Sequence, residues 1–160
     1  MGTEPRWKRY RTPEESLAAR TIQDGDCLIW TGSQNGPYGQ IAVNRKPVLV
    51  HRFVWEMTYG PIPEGKEIDH KCHRPLCVNP DHLRIATRMQ NRWNMKGARK
   101  NSKTGVLGVH EHKNGYRAVV RCRGVFHRKY FPGKTEESLI AAGEWARQKR
   151  AELFGEYAGA

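Results

Sequence analysis

Three side chains set at an even stride, Cys72, Cys77 and His82, constrain what this chain can build more than any other feature of it. The spacing C-x4-C-x4-H gathers two thiols and an imidazole into one loop, and thiolate with imidazole is the donor set that suits tetrahedral zinc. A fourth donor is missing locally. Cys27 is the remaining cysteine of this half, and it opens an apolar strand-like run, CLIWT, that a sheet can return to the loop. The competing reading is ordinary buried thiols and a loop histidine. Disulfides are disfavoured, because runs such as Leu28–Trp30 and Val48–Val50 are far shorter than the roughly 20 apolar residues of a spanning helix, and the expected compartment is the reducing cytoplasm.

Charge divides the chain. Residues 1–95 carry 14 basic and 10 acidic side chains, whereas residues 96–160 carry 14 and 6, and within 96–134 the balance is 11 to 1. A net charge of +12 points to an acidic polymer as partner, since Lys and Arg gain by displacing counterions from phosphates. The break coincides with KGARKNSKTG, a segment with no apolar periodicity and the composition of a solvated linker. The expected organisation is therefore a first domain over 1–95, a basic linker over 96–104 and a second domain over 105–160.

Local signals supply elements. Thr12, Pro13 and Glu15 form a capping box that starts a short helix to about Arg20. Cys27–Thr31, Tyr38–Val43 and Pro47–Val50 read as strands, with Asn44, Arg45 and Lys46 as the turn between the last two. His51–Thr58 has helical spacing and stops at Gly60-Pro61, Ile68–Cys72 reads as a short strand, and Thr87 can cap a helix to about Met95. Val106–His112, Tyr116–Arg123 and Phe126–Phe131 read as three strands, followed by a helix capped by Thr135 whose stripe of Leu139, Ala142, Gly143, Ala146, Arg150 and Leu153 can lie on the sheet.

Asp69 and His70 stand just before the first thiol, but consecutive strand residues point to opposite faces unless a kink turns both inward. The stretch IDHKCHRPLCVNPDHLRIATRMQN, residues 68–91, resembles the HNH and His-Cys-box nucleases, whose shared core is a β-β-α fold around a metal ion. CLIWTG, YGQIAV and VHRFVWE extend the resemblance to the nuclease domains of phage-encoded and homing HNH endonucleases. The resemblance implies an α+β fold in which structural Zn2+ on Cys27, Cys72, Cys77 and His82 pins the scaffold. It also implies that His70 acts as general base, while Asp69 and Asn91 hold one Mg2+ or Mn2+ that stabilises charge on phosphate and leaving oxygen. Cleavage would leave a 5′ phosphate and a 3′ hydroxyl.

There are departures from the family pattern. His82 takes the place of its usual middle Asn, with Asn79 nearby to bridge the loop. Gln40 follows Tyr38-Gly39 where related domains often carry Arg, so the cation assisting the leaving group is open between Arg45 and Arg52. His51 and Arg52 stand where the family often shows a His-Arg pair opening a helix, with packing and phosphate contact both available to them.

In the second half, alternation puts Arg117, Val119, Arg121 and Arg123 on one strand face, with Lys129 and His127 as candidate extensions, and Cys122 among apolar residues as a core thiol. The text GVLGVHEHKNGYRAVVRCRG, then KYF and a Thr-capped helix ending LFGEYA, resembles the plant Apetala/ethylene-response-factor DNA-binding domain, a three-stranded antiparallel sheet with one helix. One departure is Lys129, where a small residue often precedes the aromatic pair. Arg99, Lys100 and Lys103 of the linker would lie along the duplex or form a solvated tether. The expectation is a metal-dependent endonuclease acting on double-stranded DNA, as monomer or homodimer, in a bacterial or phage-infected cell. The alternative is a non-cleaving, zinc-stabilised DNA-binding regulator; homing and restriction roles share the same chemistry.

Overall fold

Residues 12–159 are described in the computed structural model, and they form a mixed α and β chain with small antiparallel sheets. The chain divides into two compact units, one up to Arg88 and the other from Met89 onward. The second unit includes the basic segment 96–104. Among the described residues no helix is long and apolar enough to cross a membrane.

The first unit opens with α1 (Pro13–Ala19), where the Thr12 hydroxyl accepts from the Glu15 amide and Glu15 reaches back, the full capping box. β1 (Thr21–Asp24) pairs antiparallel with β2 (Cys27–Trp30), and β1 is a strand the sequence reading lacks. β3 (Gln34–Asn35), β4 (Tyr38–Val43) and β5 (Lys46–Leu49) form a second sheet in that order. Val43 pairs with Lys46, so the turn is the two residues Asn44 and Arg45, at φ 50° and 64°. That left-handed pair matches the twist of the strands.

α2 (Val50–Tyr59) ends at Gly60, whose φ of 90° few other residues adopt. β6 (Lys66–His70) pairs antiparallel with β7 (Leu83–Thr87), and a short 3-10 turn Pro80–His82 precedes β7; α3 (Arg88–Trp93) follows and, from Met89 onward, belongs to the second unit. Trp30, Ile41, Val50, Phe53, Val54 and Val78 make the core. Trp30 explains the Tyr38-Gly39 pair: a Cβ on Gly39 would sit 2.4 Å from its indole.

The second unit places β8 (Val109–His112), β9 (Gly115–Cys122) and β10 (Val125–Pro132) in the order β10-β9-β8, with α4 (Glu136–Phe154) packed on the sheet. β8 starts later than the expected Val106, because the chain turns at Gly108, at φ 77°, and Thr104 Oγ1 donates to the Val109 carbonyl at 2.9 Å. Val109, Ala118, Val120 and Cys122 pack on Ala142, Ala146 and Phe154, so Cys122 is a core thiol. Trp93, the last residue of α3, stacks on Phe154 with ring centroids 4.4 Å apart and planes 7° from parallel. Arg150 of the helix stripe is half-buried: its guanidinium donates to the carbonyl of Trp93 at 2.6 Å and to that of Ala158.

Candidate metal and catalytic site

Cys27 opens β2, Cys72 and Cys77 come from the loop after β6, and His82 closes the 3-10 turn. The four donor atoms all lie within 4.8 Å of one another. The thiols of Cys27 and Cys77 are each 3.5 Å from His82 Nδ1. Strand-like hydrogen bonds fix the loop to β2, Val78 N to the Leu28 carbonyl at 2.7 Å and Trp30 N to the Leu76 carbonyl at 2.9 Å. This is how residues 27 and 77 meet. The Asn79 amide ties the loop down, donating to the Asp26 carbonyl at 2.8 Å and accepting from the Asp81 amide at 3.0 Å. Burial pushes the Cys77 thiol up to about 12, and the Cys72 thiol also upward, so ionised sulfur here calls for a bound cation. Three sulfurs and one imidazole make a closed ligand set that can hold a zinc ion, with no position left for catalysis.

Ile68, Asp69 and His70 are all buried at the end of β6. Asp69 sits opposite Arg84 in the strand pair, and Arg84 Nε donates to its carboxylate at 2.8 Å; the two side chains are 11% and 5% exposed. His70 Nε2 lies 3.1 Å from the Cys77 carbonyl. A carbonyl only accepts, so Nε2 carries the hydrogen and Nδ1 is the unprotonated nitrogen. Burial holds the His70 imidazole below its ordinary value, with the Cys77 hydrogen bond and the Asp69 charge acting against that. Cys77 thus serves twice, its sulfur in the metal quartet and its carbonyl on the imidazole.

Two further rings complete this cluster. His51, from the first turn of α2, stands edge-on to His70 with centroids 4.9 Å apart, and Tyr38 of β4 stacks over His70 at 6.2 Å and lies 5.2 Å from His51. Burial, then the charges of His70 and Arg52, push His51 down to about 3, so its ring is neutral. Sequence reasoning left His51 between packing and phosphate contact and gave Tyr38 no role; the adjacent pairs Tyr38-Gly39 and His51-Arg52 were the available signals. Arg84 was missed because β7 was missed.

The other expected site residues lie on other elements. Asn91 lies on α3, Arg52 is half-exposed on α2, and Arg99, Lys100 and Lys103 are exposed in a segment without helix or strand. On the three-stranded sheet Arg117 pairs with Tyr130 and His110, Val119 with Arg128, and Arg121 with Phe126, so these share one face. The guanidinium groups of Arg121 and Arg128 lie 4.9 and 4.6 Å from the Phe126 ring centre. The expected extension by Lys129 and His127 is corrected by register. They pair with Ala118 and Val120, residues of the core face, and Arg128 takes their place. Arg123 is in the two-residue turn at φ 47°, outside β9.

Comparison with known proteins agrees with the first half of this picture. Residues 48–93 match the HNH endonuclease family. Protein 7.7 of Escherichia phage T7 is 35% identical over 111 residues, covering 62% of this chain and 85% of that protein. Protein 3.8 of the same phage is 34% identical, covering 68% and 86%, and an HNH endonuclease of Acanthamoeba polyphaga mimivirus is 35% identical, covering 68% and 54%. No solved structure matches. With the site on β6 and its flanking loop inside the matched segment, and phage relatives aligned along most of their own length, this chain belongs to the HNH endonuclease family.

Proposed function

We propose that the protein is a metal-dependent endonuclease of the homing or phage type that hydrolyses a phosphodiester bond in double-stranded DNA, with His70 as general base. The observation that carries this reading is the His70 ring, buried and oriented by a backbone carbonyl 3.1 Å from Nε2, which makes Nδ1 the proton-accepting nitrogen. A neutral imidazole suits that task at cellular pH, and burial favours the neutral form. The element order β6, β7, α3 supports a ββα-metal motif in which Asp69 and Asn91 hold one Mg2+ or Mn2+. That ion, when bound, supplies positive charge against the phosphate and the departing 3′ oxygen.

The protein's own groups do the rest. Arg84 orients the Asp69 carboxylate through one oxygen, and zinc on Cys27, Cys72, Cys77 and His82 fixes the loop whose carbonyl orients His70. The second unit is read as an Apetala-type DNA-binding domain, its face of Arg117, Arg121 and Arg128 with Phe126 and Tyr130 supplying contacts to the duplex. The test is nicking of supercoiled plasmid with and without Mg2+, beside His70→Ala. Nicking by the wild type that needs Mg2+, and a His70→Ala protein that binds DNA without nicking it, is the expected result; nicking by His70→Ala at the wild-type rate overturns the assignment.

A further inference from the structure

His51 is 5% exposed, and its buried Nδ1 has no hydrogen-bond partner among the described residues. A buried polar atom left unpaired destabilises a fold, and an apolar ring of the same outline would avoid the penalty. The imidazole stands 4.9 Å from that of His70 and 5.2 Å from the Tyr38 ring, so the missing partner belongs beside the proposed base. We propose that His51 is a second catalytic imidazole, whose Nδ1 accepts a hydrogen bond from the water that His70 deprotonates. This rests on the reading of His70 as general base.

In the step, one O–H bond of the water breaks and its proton goes to His70 Nδ1. The freed electron pair forms the new O–P bond as the bond from phosphorus to the 3′ oxygen breaks; that oxygen leaves with the bonding pair and takes a proton from solvent water. His51 exchanges no proton; it holds the second hydrogen and so aims the oxygen lone pair. A neutral ring is required for this, because a charged one would have no lone pair to offer and would oppose the positive charge arriving on His70. The low affinity of His51 for protons meets that requirement.

The experiment uses the full chain with Mg2+ and supercoiled plasmid, and compares His51→Phe, which keeps the ring contact, with His51→Gln, which keeps a hydrogen-bonding group. Nicking kcat and KM, DNA affinity and thermal melting are measured for each, with His70→Ala in parallel. The expected result is a His51→Phe protein that melts no lower than wild type and binds DNA equally, with unchanged KM and kcat reduced about tenfold or more, the loss of one transition-state hydrogen bond. His51→Gln should recover a clear share of that rate. Wild-type kcat in His51→Phe, or equal slowing in both variants, overturns the proposal. Should the phenylalanine not be accommodated, His51→Leu takes its place against His51→Gln under the same criteria. A dead His70→Ala beside a fully active His51→Phe removes only this inference, whereas an active His70→Ala removes the reading beneath it.

Discussion

Replacing Arg84 with methionine tests whether the buried pair it makes with Asp69 is a structural clamp on a metal-binding carboxylate. Both side chains are nearly sealed, 11% and 5% exposed, with the donor 2.8 Å from the carboxylate oxygen. Removing the guanidinium takes the paired cation from a buried carboxylate of β6, an effect of ~3–5 kcal/mol for buried pairs. In a unit of this size ~1 kcal/mol moves Tm by about 4–8 °C, so the transition of the first unit should fall by at least about 12 °C. On the proposed reading that Asp69 holds the ion, millimolar Mg2+ should restore part of that loss in Arg84→Met and raise the wild-type transition less. The double change Asp69→Leu with Arg84→Met should melt closer to wild type than Arg84→Met does, while abolishing nicking. Calorimetry with and without Mg2+ reads all three. A melting point within about 2 °C of wild type for Arg84→Met, or a double change that melts no higher than Arg84→Met, would refute the clamp.

Three further outcomes follow from the geometry. Chelators able to strip the sulfur quartet should release one Zn2+ per chain, read with a colorimetric dye, and should lower the melting of the first unit while the second unit keeps its transition. His51 binds its proton near 3 in the fold against 6.5 for a free imidazole, so the fold takes up fewer protons than the unfolded chain. Its contribution to stability is complete above that free value and is lost as pH falls toward the folded one, and His51→Phe should flatten the acid limb of a Tm-against-pH curve. Alanine at Arg117, Arg121 and Arg128 together should weaken DNA binding and reduce the log Kd against log salt slope by about 2 to 3, whereas Lys129→Ala should leave the slope unchanged.

The sequence made some of this legible and hid the rest for physical reasons. Short-range chemistry reads well: the capping box at Thr12 and the metal stride through Cys72, Cys77 and His82 depend on neighbours a few residues apart. Cys27 was reachable as the donor still needed. Pairing across a sheet reads poorly, because it depends on register. β7 carries LRIAT, whose charged second residue looks like loop, yet Arg84 sits in the strand with its guanidinium paired to Asp69 on the facing strand. Lys129 and Arg128 differ by one position, and the two-residue turn at Arg123 and Gly124 decides which of them joins the arginine face. The convergence of His51, Tyr38 and His70 is the least legible feature, since it joins α2, β4 and β6 with nothing in their spacing to announce it.

The stacking of Trp93 on Phe154 bears on how the gene can be cut and recombined. A fragment ending at residue 95 would retain every residue of the nuclease motif and still leave the indole two positions after Asn91 facing solvent, its carbonyl stripped of the Arg150 guanidinium. Grafting a foreign recognition module after that point therefore demands a replacement for this aromatic seat, or the short helix will fray at the end nearest the amide it presents.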